Sequence, residues 1–129
     1  MKVKVLFLSS LMSLPVLAGT TVYTDSEHPP MNLSPDTQVI WLDRPTRLQS
    51  QLFGGLSADP LQAEVQAKAV LRSAQWTQQE RQLVESLRLV VQAHELGVRK
   101  YPAVVFDDKY VVYGTADVAH ALTLRGRKS

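Results

Sequence analysis

The sequence predicts an α/β fold built on a four-stranded mixed sheet. Three observations predict it. Segments rich in β-branched and aromatic residues lie near the start of the chain and again at residues 103–113. Between them, residues 46–96 carry apolar side chains at helical spacing. The chain has 129 residues, 45% hydrophobic and 20% charged, which is the composition of a single globular domain.

The first 18 residues have the pattern of a secretory signal. Lys2 and Lys4 precede an apolar run, and Val16 and Ala18 occupy the two small-residue positions of a signal-peptidase site. The run is shorter than the roughly 20 apolar residues that span a bilayer. We therefore expect cleavage after Ala18, no stable membrane anchor in the mature protein, and a periplasmic location.

Removal of the signal changes the charge balance. The whole chain has 14 Lys and Arg residues against 12 Asp and Glu residues. Because Lys2 and Lys4 leave with the signal, the mature protein carries equal numbers of the two. This balance opposes nucleic-acid binding, which depends on neutralising phosphates. The remaining basic cluster, in residues 125–129, is interpreted as a flexible tail that follows a domain of residues 19–124.

The chain contains no cysteine. An exported protein without cysteine has no disulfides and depends on its buried core for stability. The absence of thiols also excludes dithiol redox chemistry and thiolate metal ligands. We expect no cofactor, no metal and no catalytic residue.

Two strands and a helix are predicted in the first half of the chain. Residues 20–24 and 38–43 have strand character and are separated by a loop with prolines and aspartates. The second strand is a continuous apolar run, which is typical of a strand covered on both faces, so Trp41 is expected to be buried. A short helix follows and ends at Gly54-Gly55.

Two further helices are predicted before residue 98. Ser57 or Asp59 is expected to cap the second helix, because serine and aspartate accept hydrogen bonds from free N–H groups at a helix start. Thr77 and Glu80 have the spacing of a capping box for the third. Gly97 lies where a left-handed residue ends a helix.

The last part of the chain predicts a hairpin and a closing helix. Ala103–Phe106 and Lys109–Tyr113 are expected to pair across an Asp107-Asp108 turn. Tyr110 and Tyr113 should lie on opposite faces of their strand, with at least one in the core. Thr115 is expected to cap the closing helix.

The predicted order of elements is that of a thioredoxin-like topology: two strands, a helical crossover, a hairpin and a C-terminal helix. The helical segment is long enough for the crossover that returns a parallel strand. In thioredoxins a Cys-x-x-Cys motif follows the first strand. This chain has Ser26, Glu27, His28, Pro29 and Pro30 there.

Three segments carry a resemblance to a known family: "VYTDSEHP" at 22–29, "YPAVVFDDKYVVYG" at 101–114 and "TADVAHAL" at 115–122. They resemble the small exported proteins of integrating conjugative elements, which are similar in fold to thioredoxins. The resemblance covers most of the mature chain and is most specific at 101–118. It implies a non-catalytic accessory protein whose partner is a component of the conjugative type IV secretion apparatus or an extended peptide.

The resemblance also implies a binding site. The Tyr101–Pro102 bond is expected to be cis, and the adjacent backbone to pair with an extended peptide by strand addition. The alternative interpretation is that Pro102 merely begins a strand, where its missing N–H is harmless. The expected contact residues are Tyr101, Pro102, Ala103, Glu27, His28 and Pro29.

A second hypothesis assigns chemistry to His28. Glu27 and Asp25 lie beside it in sequence, and a carboxylate can orient an imidazole as a general base or a ligand. The alternative is a loop histidine bonded to the backbone. The sequence offers no obvious nucleophile beside His28, so the binding function is preferred to an enzyme without cysteine.

Overall fold

In a computed structural model, which describes residues 19–126, the chain forms one four-stranded sheet and four helices. The predicted signal (residues 1–18) and residues 127–129 lie outside this range. The strands are β1 (Thr20–Thr24), β2 (Gln38–Trp41), β3 (Ala103–Phe106) and β4 (Tyr110–Tyr113). The helices are α1 (Arg44–Phe53), α2 (Pro60–Arg72), α3 (Trp76–Glu95) and α4 (Val118–Gly126). None of these helices combines the length and the apolar character needed to cross a membrane.

The strand order is β2-β1-β3-β4. β1 and β2 are parallel, whereas β3 is antiparallel to both β1 and β4. This confirms the predicted four-stranded mixed sheet. The expectation that the helical segment returns a parallel strand is wrong, because α1 to α3 lead into β3, which runs antiparallel to its neighbours. The parallel pair is joined instead by residues 25–37.

The sheet lies between α3 and α4. Successive residues of a strand point to opposite faces, so each strand can contribute side chains to the contacts with both helices. One buried cluster joins the sheet to α4 and consists of Val22, Val104, Phe106, Ala116, Val118 and Ala121. The other lies on the α3 side and consists of Tyr23, Ile40, Ala93 and Val105. The two central strands, β1 and β3, therefore supply side chains to both halves of the core.

β2 is an edge strand and is shorter than the predicted 38–43. Ile40 is buried, but Gln38 is exposed and Trp41 is only half-buried. The expectation of a fully covered strand with a buried Trp41 is wrong, since burial is concentrated on the central strands β1 and β3.

The helix starts agree with prediction in one case and differ in another. The Asp59 side chain accepts a hydrogen bond from the backbone of Leu61, as expected of a cap. The capping box at Thr77 is not formed, because α3 already begins at Trp76 and its capping residue, Gln75, makes no side-chain capping bond. The ring of Trp76 packs edge-on against Phe53, with centroids 6.2 Å apart.

The hairpin forms as predicted, with Asp107 and Asp108 at φ of 56° and 51°. Aspartate is among the residues that adopt this left-handed region most readily after glycine. Tyr110 and Tyr113 are both exposed, so the expectation that one is in the core is wrong. The reason is that β4 is the second edge strand of the sheet.

The closing helix begins later and extends further than predicted. Asp117, rather than Thr115, caps it: the Asp117 carboxylate accepts from the His120 backbone N–H at 3.1 Å. The Thr115 hydroxyl accepts instead from the Asp117 N–H at 3.0 Å. Arg125, which the sequence places at the start of a flexible tail, lies in the last turn of α4.

Candidate functional site

The predicted contact residues lie at one end of the strands of the sheet, where β1 and β2 end and β3 begins. The register pairs Tyr23 with Ala103 and Thr24 with Trp41. The loop after β1 and the segment before β3 therefore emerge at the same end of the sheet, as the sequence predicts. Residues 42–43, which follow β2, emerge there as well.

The loop after β1 is folded around the Asp25 carboxylate. Its Oδ1 atom accepts hydrogen bonds from the backbone N–H groups of Glu27 at 3.1 Å and His28 at 3.0 Å. The same oxygen lies 2.6 Å from Nδ1 of His28, and the Thr24 hydroxyl donates to the His28 carbonyl at 2.5 Å. An aspartate that bonds the backbone two residues ahead forms a tight turn. The loop is thus a compact turn held by its own first residue.

The imidazole of His28 is oriented by Asp25 and not by Glu27. The Asp25 side chain is 13% exposed, whereas that of His28 is 47% exposed. With Nδ1 directed at the carboxylate, the other ring nitrogen is left for contacts outside the loop. Glu27 and Pro29 are exposed beside it.

Asp43 connects this loop to the start of α1. Its Oδ2 atom accepts from the Ser26 backbone N–H at 3.1 Å and from the Ser26 hydroxyl, and it lies 3.3 Å from Nε of Arg47. Burial raises the pKa of the carboxyl, but the Ser26 hydrogen bonds and the Arg47 charge outweigh this and hold the pKa below its ordinary value of 3.8. Within the described residues, Oδ1 of Asp43 is buried without a hydrogen-bond partner.

The Tyr101–Pro102 peptide bond is cis, as expected. The Pro102 carbonyl accepts from the Gly114 N–H at 2.9 Å, and Ala103 is fully buried at the start of β3. The side chain of Ala103 therefore packs in the core beneath the sheet surface and is not presented to a partner. Tyr101 is 54% exposed, and within residues 19–126 neither its backbone N–H nor its carbonyl is hydrogen-bonded.

A groove of about 350 Å³ runs beside Tyr101. We call it the Tyr101 groove; it lies between the start of α1, the last turns of α3 and the segment before β3. Its lining consists of Leu42, Asp43, Thr46, Val90, Ala93, His94, Val98, Arg99 and Tyr101. His28 and its neighbours are outside this lining, and the Ser26–Asp43 hydrogen bonds connect their loop to it.

Sequence reasoning missed most of the groove. The spacing of apolar residues in α3 predicts a structural role for His94 on the apolar face of the helix, yet His94 is exposed at the groove. The sequence pattern places Asp43 at the end of an apolar run and predicts no role for it at the groove. The usable signal was the periodicity of α3, which places Val90 and Ala93 on the face directed at the sheet.

The described residues contain no arrangement of three or more histidine, aspartate or glutamate side chains that could hold a metal ion. The Asp25–His28 pair offers proton exchange and hydrogen bonding at the imidazole.

Comparison with known proteins identifies the family of this chain. No curated protein and no solved structure matches it. A family model described as "Protein of unknown function (DUF1525)" matches residues 17–127, a range that includes every residue of the sheet, the Asp25–His28 loop and the Tyr101 groove. The chain therefore belongs to this family of proteins of unknown function, DUF1525.

Proposed function

We propose that the protein is a non-catalytic, exported accessory protein of an integrating conjugative element. It works in the periplasm by binding another component of the conjugative type IV secretion (mating-pair) apparatus. Its fold is proposed to be thioredoxin-like without the Cys-x-x-Cys motif. The strand order and the helical connection from β2 to β3 support this assignment.

The observation that carries the proposal is the free backbone of Tyr101. Its N–H and carbonyl are without hydrogen bonds among residues 19–126, and they lie beside an open groove. An extended peptide that runs past such a segment satisfies both groups by strand addition, while a neighbouring pocket selects its side chains. The segment before β3 thus supplies main-chain hydrogen bonds, and the Tyr101 groove supplies side-chain selectivity.

The groove favours a peptide with an apolar side chain. Leu42, Val90 and Val98 contribute apolar surface, and its volume of about 350 Å³ lies within the usual range for ligand pockets. His94 and Arg99 lie at the same groove and offer nitrogen donors to peptide carbonyls. None of these contacts needs a thiol, so a chain without cysteine can bind a peptide in this way.

Capture of the partner from envelope extracts tests the proposal. Extracts of cells that carry a conjugative element are passed over the purified protein, and bound proteins are identified by mass spectrometry. We expect Tyr101→Ala and Pro102→Ala to reduce capture of a secretion component, and Pro60→Ala to leave it unchanged, because Pro60 lies in the first turn of α2.

Circular dichroism and thermal unfolding establish that each variant is folded before capture is compared. Equal capture by the wild type and by folded Tyr101→Ala and Pro102→Ala variants contradicts the proposal. A captured protein unrelated to conjugation contradicts the assigned setting but leaves the groove as a binding site.

A second candidate function is an enzyme without cysteine that uses His28 with Asp25 and Glu27. The observation favouring it is the 2.6 Å contact between His28 Nδ1 and Asp25, which fixes the ring as a general base requires. This candidate predicts that His28→Ala abolishes conjugative transfer while partner capture is unchanged. Normal transfer frequency in the His28→Ala strain excludes it.

A further inference from the structure

A second depression lies on the other side of the start of α1 and shares no lining residue with the Tyr101 groove. Its volume is about 510 Å³. We call it the Arg44 pocket; it is lined by Ser26, Trp41, Arg44, Arg47, Leu48 and Gln51. Four of these residues recur at helical spacing on one face of α1, opposite the end of the edge strand β2.

The two arginines of the pocket are in different states. Within residues 19–126, Arg44 is exposed and forms no ion pair and no side-chain hydrogen bond. Arg47 is held in place: its Nε lies 3.3 Å from Oδ2 of Asp43, and its guanidinium carbon lies 5.8 Å from the Trp41 ring centroid. The structure therefore presents one positioned guanidinium and one free guanidinium at the same opening.

The charge balance of the pocket favours a single negative charge. Arg44 and Arg47 contribute two positive charges, and Asp43 offsets one of them through its contact with Arg47. A carboxylate neutralises the charge that remains, whereas a doubly charged phosphate exceeds it. Guanidinium and carboxylate groups also match in shape, since two parallel N–H groups can donate to both oxygens.

The remaining walls of the Arg44 pocket offer apolar surface to a group attached to the carboxylate. The half-buried Trp41 ring and the Leu48 side chain line the pocket together with the arginines. We infer that the Arg44 pocket binds a carboxylate carried by an apolar group. This chemistry is found both in a small organic acid and in the C-terminal residue of a peptide. The Arg44 pocket is separate from the Tyr101 groove, and this inference does not depend on the function proposed for the Tyr101 groove.

Tryptophan fluorescence provides a direct test. The chain has two tryptophans, Trp41 and Trp76. A Trp76→Phe variant keeps an aromatic ring against Phe53 and leaves Trp41, in the pocket wall, as the single reporter. N-acetylphenylalanine is titrated into this protein, and N-acetylphenylalaninamide, which lacks the negative charge, is the matched control. We expect a saturable change in Trp41 emission with the acid only.

Substitution of the free arginine tests the assigned residue. In the Trp76→Phe background, Arg44→Gln is expected to weaken binding of N-acetylphenylalanine about tenfold or more, the usual effect of losing a charge-assisted hydrogen bond. Arg81→Gln, on the exposed surface of α3, is the control and should leave the Kd unchanged. An unchanged Kd in Arg44→Gln overturns the inference. Inorganic phosphate that binds more tightly than N-acetylphenylalanine also overturns it.

A peptide identifies the source of the carboxylate. Acetyl-Ala-Ala-Ala-Phe with a free C-terminus is compared with N-acetylphenylalanine and with the same peptide as its C-terminal amide. Tighter binding of the free-acid peptide supports a peptide terminus, and equal binding of the two acids supports a small organic acid. Equal binding of the peptide acid and the peptide amide overturns the inference.

Discussion

The carboxylate of Asp43 accepts hydrogen bonds from both the backbone amide and the hydroxyl of Ser26, 17 residues earlier in the chain. This pair joins the loop after β1 to the start of α1. It also lies between the two depressions, because Asp43 lines the Tyr101 groove and Ser26 lines the Arg44 pocket. One pair of hydrogen-bonded side chains therefore connects the linings of both candidate binding surfaces.

Removal of the Ser26 hydroxyl should destabilise the protein modestly. Ser26→Ala deletes one hydrogen bond to a charged acceptor in an exposed place, so we expect the free energy of unfolding to fall by about 1 kcal/mol. Urea-induced unfolding followed by circular dichroism measures this. Ser50→Ala is the control, because Ser50 is an exposed residue of α1 whose hydroxyl makes no hydrogen bond within the described residues. An equal loss in both variants would contradict a special role for the Ser26–Asp43 pair.

The same pair makes stability depend on pH in acid solution. The pKa of Asp43 in the folded protein lies below its ordinary value of 3.8. Its contribution is therefore complete above that pH and is lost as the pH falls through the lowered pKa. The pKa values of Glu85 and Asp117 are also lowered, so acid reduces stability through them as well.

The contribution of Asp43 is isolated by comparison with Asp43→Asn. The free energy of unfolding of both proteins is measured from pH 5 down to pH 2. We expect the difference between wild type and variant to be constant at the upper end and to shrink as the pH falls below 3.8. A difference that does not change over this range would show that Asp43 titrates alike in the folded and unfolded states.

The strands and helices were predictable where a local pattern dictates them. The hairpin follows from two β-branched segments around Asp107-Asp108, and Gly97 ends α3 with a φ of 79° as expected. Trp41 shows the limit of this reasoning. A continuous apolar run has the same sequence signature in a central strand and in an edge strand, and the strand order is decided by pairing with distant segments.

The candidate site was predictable only in part, for a related reason. The segment containing Tyr101 could be found because its motif is contiguous in sequence. The Ser26–Asp43 hydrogen bonds and the lining of the groove by Val90 and His94 connect residues that are far apart in the chain. Helix periodicity places these residues on a face but does not state which other element that face meets.

Gly97 should tolerate no side chain without a loss of stability. A Cβ built at this position meets no atom within 4 Å, so the cost of Gly97→Ala comes from the backbone conformation and not from a clash. A left-handed conformation costs a residue with a Cβ roughly 1–2 kcal/mol. Gly55→Ala is the matched control: it also has open space, and its φ is outside the left-handed region. Chemical denaturation of both variants measures the effect, and equal stabilities would contradict this explanation.

Arg125 should stabilise the contact between α4 and the hairpin. Its guanidinium carbon lies 5.1 Å from the ring centroid of Phe106 and 4.6 Å from that of Tyr110, and its Nη2 lies 3.6 Å from Oδ2 of Asp107. We expect Arg125→Gln to lower the free energy of unfolding by about 1 kcal/mol, the usual magnitude of an exposed cation–π contact. Arg125→Lys should be intermediate, since an ammonium keeps the charge but not the planar group.

Salt distinguishes the two interactions of Arg125. An exposed ion pair is screened by added salt, whereas contact between a guanidinium and an aromatic face is less sensitive because it includes packing. We expect most of the loss of unfolding free energy in Arg125→Gln to persist in about 0.5 M NaCl. This salt concentration shortens the screening length to a few ångströms. Arg72→Gln, at the end of α2 and without a side-chain partner in the described residues, is the control. If Arg125→Gln is no less stable than Arg72→Gln, the contacts of Arg125 do not hold α4 against the hairpin.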